Sequence, residues 1–299
     1  MVNISLIGHG YWGTILEKYI KADGHFSLKC ICNSKSDLNE VWVDDDIDAV
    51  VIAVRNEKRY PITKMALESG KNVLSEKPLA LTSVEAENLR NLANLHSLVL
   101  VVNYTFTFSK GLQRAVKWVR DGKIGILLGI DMCINHLGKF GGGSVYWILG
   151  SHMLSVLGMF IPLESLVYGK RDVVVYNNSV ETGVIFFEGF GFKGQITLSL
   201  NYPGKEVKVV LYGSDGTIVY NPNRGGDSLS LRTYERKTWV IDPEIPGEHL
   251  IYAQDETNNL KYTFEYFYKV LKGETASNVD TAVTITKILE DLSNGKPYR

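Results

Sequence analysis

An apolar run, Val2-Asn3-Ile4-Ser5-Leu6-Ile7, passes at once into Gly8-His9-Gly10-Tyr11-Trp12-Gly13, and residues 14–22 then carry helical periodicity. Short apolar runs bounded by turn chemistry predict buried strands. A strand that enters a helix through G-x-G-x-x-G can be built in few ways. The first glycine permits a tight turn, the second lets a pyrophosphate approach the backbone, and the third lets the helix pack closely. The free N–H groups and dipole at the helix start favour phosphate. The chain is therefore expected to open with a parallel α/β domain that binds a dinucleotide. His9, Tyr11 and Trp12 lie on the same turn and join the three glycines as cofactor-binding candidates.

The alternation continues. Residues 27–32, 48–54, 73–77 and 98–102 predict strands, and residues 60–69 and 82–95 predict helices. Gly70 is a natural C-terminal cap, Thr82 or Ser83 an N-cap, and Glu85 favours the first helical turn. Strand and helix in alternation predict a parallel sheet with right-handed crossovers. Residues 36–46 are too short and acidic to predict a helix, so one crossover is expected to be a bare loop. In such sheets ligands bind outside the carboxyl ends of the strands. Those ends carry Asn33-Ser34-Lys35, Val54-Arg55-Asn56, Glu76-Lys77-Pro78 and Asn103-Tyr104. An NAD site usually places an acid after the second strand, against the ribose hydroxyls. Here Asn33 carries no charge to repel a 2′-phosphate, Ser34 can donate a hydrogen bond and Lys35 supplies a cation. NADP(H) is expected over NAD(H). At the next corner Pro78 disfavours helical geometry at Lys77. A lysine is thus held on a fixed backbone at the edge of the expected crevice.

The second half follows another pattern. Residues 112–121 predict a helix closed by Gly122. Strands are expected at 126–136, 166–176, 182–187, 193–201, 205–212 and 217–220, with a hairpin turn at Gly213-Ser214-Asp215-Gly216. Successive strands without helices between them argue an antiparallel sheet. The expected domains are residues 1–120, α/β, and 121–299, α+β. Helices are expected at 259–271 and 281–292. The aromatic stripe from Tyr262 to Tyr268 has helical spacing and reads as core. Between strands, Gly141-Gly142-Gly143 opens an apolar helix that carries His152, and a histidine there can relay protons near neutral pH.

Composition excludes some functions. The formal net charge is -1, with 45% hydrophobic and 22% charged residues, so there is no basic footprint for nucleic acid. Cys30, Cys32 and Cys133 are odd in number and show no metal spacing, which points to a reducing, cytoplasmic setting and no metal. No signal peptide or membrane span is expected.

Taken together, Gly8-x-Gly10-x-x-Gly13, the 48–54 strand, Gly70-Lys71-Asn72-Val73, Glu76-Lys77-Pro78, Gly150-Ser151-His152 and the closing Ser293-Asn294-Gly295-Lys296-Pro297 resemble the glucose-fructose oxidoreductase / inositol dehydrogenase (Gfo/Idh/MocA) family. The resemblance implies a Rossmann domain followed by a C-terminal domain with an open, mostly antiparallel sheet that binds substrate and mediates oligomerisation. It implies NAD(P)-dependent hydride transfer at a carbon of a sugar, ketosugar or sugar nucleotide, in a homodimer or homotetramer. The motif lysine falls on Lys77 and the motif histidine on His152, both then catalytic. Glu76, Asn103, Val54, Arg55 and Asn56 join the cofactor-binding set, and His152 can also hold substrate. The chain departs from the family pattern at several positions. Ile148 stands where the family commonly has Asp, and Ser155 where it often has an acid. The strand-end Thr-Pro-Asn-x-x-His is here Val54-Arg55-Asn56-Glu57-Lys58-Arg59. Tyr104 and Tyr146 are the nearest substitutes for the missing acid and are expected to touch substrate. Loss of that acid leaves a second reading open, a catalytically silent dinucleotide sensor or adaptor of the same fold.

Overall fold

The structure, a computed structural model, describes residues 1–138, 143–223, 228–234, 249–252 and 259–295. Gly141 and Gly142 of the glycine run, and Lys296 and Pro297 of the closing motif, lie outside them. In chain order β1 (Val2–Ile7), α1 (Tyr11–Ala22), β2 (Phe26–Cys32), α2 (Asn39–Trp42), β3 (Ala49–Ile52), α3 (Asn56–Glu68), β4 (Asn72–Glu76), α4 (Ser83–Leu95) and β5 (Leu100–Asn103) come first. Their strands form a wholly parallel sheet in the order β2-β1-β3-β4-β5. β3 is Ala-Val-Val-Ile and buried at every position, as a central strand covered on both faces must be. Thr82 caps α4 by accepting from the Glu85 N–H at 3.2 Å. The crossover expected to be a bare loop contains α2. Val41 and Trp42 bury themselves there, and the Asp37 carboxylate accepts from the Asn39 N–H at 2.9 Å. One of the acids that argued against a helix caps its first turn.

The next elements are α5 (Lys110–Arg120), β6 (Leu127–Leu137), a π-helical turn (Tyr146–Gly150), α6 (Ser151–Leu157), β7 (Val167–Tyr176), β8 (Ser179–Gly189), β9 (Phe192–Ser199), β10 (Asn201–Gly213), β11 (Gly216–Tyr220), β12 (Leu229–Thr233) and β13 (His249–Tyr252). They form one sheet in the order β13-β12-β11-β10-β6-β9-β8-β7. It is antiparallel except where β6 pairs with β9 in parallel. β12 and β13 were not expected from the sequence. β12 is short, and its signal is only the alternation that buries Leu229 and Leu231. Among the described residues no helix is long and apolar enough to cross a membrane.

The chain closes with α7 (Asn259–Leu271) and α8 (Val279–Ser293). It divides into two compact units, Met1–Phe108 with Asn258–Glu290, and Ser109–Thr257 with Asp291–Arg299. This differs from a single break at residue 120, and the reason lies in α7. Leu260, Phe264, Phe267 and Val270 enter one core with Ile4, Leu16, Ile20 and Phe26. The Phe26 ring stacks on Phe267 at 6.0 Å and meets the edge of Phe264 at 5.9 Å. The aromatic stripe is therefore core, and its partner is the first sheet. Ahead of α8, the Asn278 side chain donates to the Val102 carbonyl at 2.7 Å and accepts from the Val102 N–H at 2.9 Å. The edge strand β5 is thereby covered by a side-chain amide in place of a further strand.

Candidate functional site

β1 has β2 on one side and β3 on the other, so the strand order reverses there. Ligands bind at such switch points. The glycine turn leaves β1 at this place. Gly8 has φ +98°, and a Cβ on it would lie 2.5 Å from the Ala53 carbonyl oxygen. A Cβ on Gly13 would lie 2.0 Å from the Gly8 carbonyl oxygen. These two glycines serve packing. A Cβ on Gly10 would meet nothing within 4 Å. Gly10 is the N-cap of α1, without a side-chain cap bond, and no acid occupies the first turn. The helix start thus keeps its N–H groups for a ligand anion. A pyrophosphate fits this cradle, and a methyl on Gly10 would occupy it. Gly10→Ala should therefore melt like the wild type yet lose NADPH binding, whereas Gly13→Ala should lower the melting temperature. Thermal melts and NADPH fluorescence titrations of both variants check this, and normal binding by Gly10→Ala would place the cofactor elsewhere. His9 turns away along the helix, 2.7 Å from the Glu17 carboxylate, and Tyr11 is exposed.

The end of β2 is tied to this turn by the Gly8 N–H, which donates to the Cys32 carbonyl at 2.9 Å. Asn33 spends its side-chain oxygen on the Lys35 N–H at 2.9 Å, and its own N–H donates to the Ser36 hydroxyl at 3.0 Å. What remains to face a ligand is donors: the Asn33 amide NH₂, the Ser34 hydroxyl and the Lys35 ammonium, all on exposed residues. The turn presents no carboxylate from residues 33–35.

Glu76 ends β4 and is buried. Its carboxylate accepts from the Trp12 indole N–H, from the Asn103 side-chain amide at 2.7 Å and from the Lys77 backbone N–H at 3.3 Å. The Thr263 hydroxyl in turn donates to Asn103 at 3.0 Å. Trp12, Glu76 and Asn103, three of the expected cofactor residues, thus bind one another. They join the helix after the glycine turn to β4, β5 and α7. The Lys77–Pro78 peptide is cis, and Lys77 is half-buried.

Arg59 completes the corner, and sequence reasoning did not select it. It is buried on α3, with its guanidinium donating to the Val54 carbonyl at 2.8 Å, the Asn56 side-chain oxygen at 3.0 Å and the Pro78 carbonyl at 2.6 Å. Burial pushes its pKa down to about 10, with Glu76 and Glu57 opposing, so it stays charged at neutral pH. The signal was its position, where the resembled family has histidine. Val54, Asn56 and the Glu-Lys-Pro corner are all anchored by this one side chain, while Arg55 is the N-cap residue of α3. Tyr104, expected to touch substrate, is 1% exposed in the core, and that burial raises its hydroxyl far above an ordinary phenol. That burial removes it as a donor at the surface.

In the second unit the π-helical turn runs directly into α6, and such turns often mark functional sites. His152 is half-buried on α6, and the Ser155 hydroxyl bonds back to its carbonyl at 2.7 Å. Ile148 is half-buried on the π-helical turn. Tyr146 is 1% exposed and donates to the Asp172 carboxylate at 2.8 Å. Burial, and then Asp172, hold its hydroxyl protonated far into alkaline pH.

The profile described as "Oxidoreductase family, NAD-binding Rossmann fold" matches residues 16–104, which carry β2 to β5. The uncharacterized oxidoreductase YhhX of Escherichia coli is 24% identical over 95% of this chain and 81% of its own. The scyllo-inositol 2-dehydrogenase (NADP(+)) IolU of Bacillus subtilis is 24% identical over 90% of this chain and 84% of its own. Among solved structures, KijD10, a 3-ketoreductase from Actinomadura kijaniata in complex with TDP-benzene and NADP, superposes with a TM-score of 0.82 at 17% identity, covering 98% of this chain and 97% of the other. The glycine cradle at the switch point, the profile over β2 to β5 and relatives that align over most of the chain converge: the chain is similar to NAD-binding oxidoreductases with a Rossmann fold.

Proposed function

We propose that this oxidoreductase uses NADP(H) to interconvert a hydroxyl and a carbonyl on a sugar, ketosugar or sugar nucleotide, with Lys77 as the proton-transfer group. The observation that carries the reading is the fixing of Lys77 from both sides. Glu76 accepts its N–H, and Arg59 holds the following Pro78 carbonyl at 2.6 Å. Both contacts set the lysine at the carboxyl end of β4, separated from β1 by β3 alone. Nicotinamide, when bound, supplies or accepts the hydride. The glycine turn and the start of α1 would hold its pyrophosphate, and Asn33, Ser34 and Lys35 its adenosine ribose. An ammonium near the reacting oxygen stabilises developing negative charge and can donate or take the proton. His152 is proposed as a second group for substrate binding or proton transfer. The substrate class is supported by IolU, named an inositol dehydrogenase, and the carbonyl chemistry by KijD10, named a 3-ketoreductase. Ile148 favours the alternative, a silent sensor. Mixing the protein with NADPH and a panel of ketosugars while following absorbance at 340 nm separates the two. Oxidation with at least one sugar supports the enzyme, and tight NADPH binding with no turnover on any supports the sensor.

Cofactor preference has its own test. NADPH is expected to bind more tightly than NADH, and Lys35→Ala should narrow the gap by about 1.5–3 kcal/mol, the range for a charge-assisted hydrogen bond. Equal affinities in the wild type would overturn the preference. A homodimer or homotetramer is proposed through the second unit's sheet, where Leu128, Leu137, Tyr202 and Tyr212 are exposed. Light scattering on the eluting protein checks it.

A further inference from the structure

Cys30 and Cys32 lie at the end of β2, and the reaction proposed above uses neither. β2 is an edge strand paired in parallel with β1, and its register breaks just before them. Ile4 is opposite Leu28, but Ser5 is opposite Cys30 and Ile7 opposite Cys32. Lys29 is the extra residue of a bulge, and bulges re-aim the side chains beside them. Leu28 and Ile31 pack on the core that α1 and α7 share, while Cys30 and Cys32 fall outside that core. Their sulfur atoms converge to 3.9 Å, and the Cys30 sulfur lies 3.1 Å from the Ser5 hydroxyl oxygen. Both cysteines are free thiols, Cys30 half-buried and Cys32 buried.

This spacing selects a ligand. Two thiolates on one tetrahedral ion, at the usual zinc–sulfur length of about 2.3 Å, stand about 3.8 Å apart. The pair therefore needs almost no movement to share such an ion. A disulfide fits far less well, since it needs Cβ atoms about 3.8 Å apart. Residues two apart on an extended strand stand about 6.6 Å apart. We propose that Cys30 and Cys32 bind one thiophilic divalent ion of the zinc class, each thiol giving its proton to solvent and a sulfur lone pair to the metal. Thiolates select such ions, whereas magnesium and calcium take oxygen donors. The Ser5 hydroxyl can donate to the Cys30 thiolate, as partners of metal ligands commonly do. The Glu40 carboxylate is close enough to add negative charge at Cys32. Among the described residues no group of three histidine, cysteine or carboxylate side chains could hold a metal ion. Water fills the remaining positions on the ion, so the site is open and exchangeable, unlike a closed structural one. The proposal stands apart from the roles given to Lys77 and to the cofactor turn.

The test is a titration of the reduced full chain with Cd²⁺, whose bonds to thiolate give a charge-transfer band in the ultraviolet. Zn²⁺ and Mg²⁺ serve as competitors. Wild type, Cys30→Ser, Cys32→Ser and Cys133→Ser are compared, and a thermal melt shows that each is folded. Wild type and Cys133→Ser are expected to bind one Cd²⁺ per chain with the band, and Zn²⁺ but not Mg²⁺ should displace it. Cys30→Ser and Cys32→Ser should each weaken binding by at least about 100-fold, since losing even a partner of a metal ligand costs about 10–100-fold. Cys30 is half-buried, so Cys30→Ser keeps the test decisive should Cys32→Ser fail to fold. Undiminished binding by folded Cys30→Ser overturns the proposal, as does binding lost in Cys133→Ser, displacement by Mg²⁺, or no band in the wild type.

Discussion

Lys77→Met is expected to leave NADPH affinity unchanged and to reduce turnover by about 10²–10⁴-fold, the usual worth of a general acid or base. Methionine keeps an unbranched chain of similar reach and removes only the charge and the proton. The backbone at this corner has its own anchors, because Glu76 accepts the Lys77 N–H and Arg59 grips the Pro78 carbonyl. A fall in rate would therefore report lost chemistry, with the segment still in place. Single-turnover rates across pH on the substrate found by the ketosugar panel make the measurement. An undiminished rate would end the mechanism proposed for Lys77. His152→Asn should cost less if the histidine only orients substrate, and about as much if it carries the proton.

The second large effect concerns Glu76. Its carboxylate is the shared acceptor for Trp12, Asn103 and the Lys77 N–H, and it also offsets the buried Arg59 charge. Glu76→Ala strands these donors where water does not replace the lost partner. Each buried donor left unmet costs about 1–3 kcal/mol, and removing one charge from a buried set costs about 3–5 kcal/mol. A loss of about 3–5 kcal/mol is expected, read as a shift of the urea midpoint at unchanged slope. Glu76→Gln keeps an acceptor oxygen for Trp12 and Asn103 but turns an NH₂ toward the Lys77 N–H, so it should lose less. Because α1 starts beside Trp12, both variants should also weaken NADPH binding. A midpoint unmoved in Glu76→Ala would show that the three donors find other partners.

What the chain spells out locally was legible. The glycine turn, the strand and helix periods, the Thr82 cap and the break at Glu76-Lys77-Pro78 depend on residues a few positions apart. The partners of those residues depend on the fold. Glu76 can be read as a strand-end acid, yet its ties to Trp12, Asn103 and, through Asn103, Thr263 exist only after four elements have converged. Arg59 looked like a departure from a family motif. In the structure it anchors two loop carbonyls, a task that requires a buried fork of donors and so could not be inferred from spacing alone. Tyr104 and Tyr146 lie close in sequence to the expected chemistry. One is buried, and the other is committed to Asp172.

The sequence by itself determined the parallel first sheet, the dinucleotide turn, the corner lysine and the switch to a mostly antiparallel sheet, because hydrophobic period and turn chemistry act over short range. Only the tertiary structure decided where α7 belongs, what covers the edge of β5, and which polar side chains brace the site. An apolar helix face shows that it must be buried without naming its partner. Phe264 and Phe267 could have packed on any apolar surface, and the aromatic face offered by Phe26 settled the choice. A buried carboxylate or guanidinium likewise persists only where several distant segments bring enough hydrogen-bonding partners to repay its loss of water.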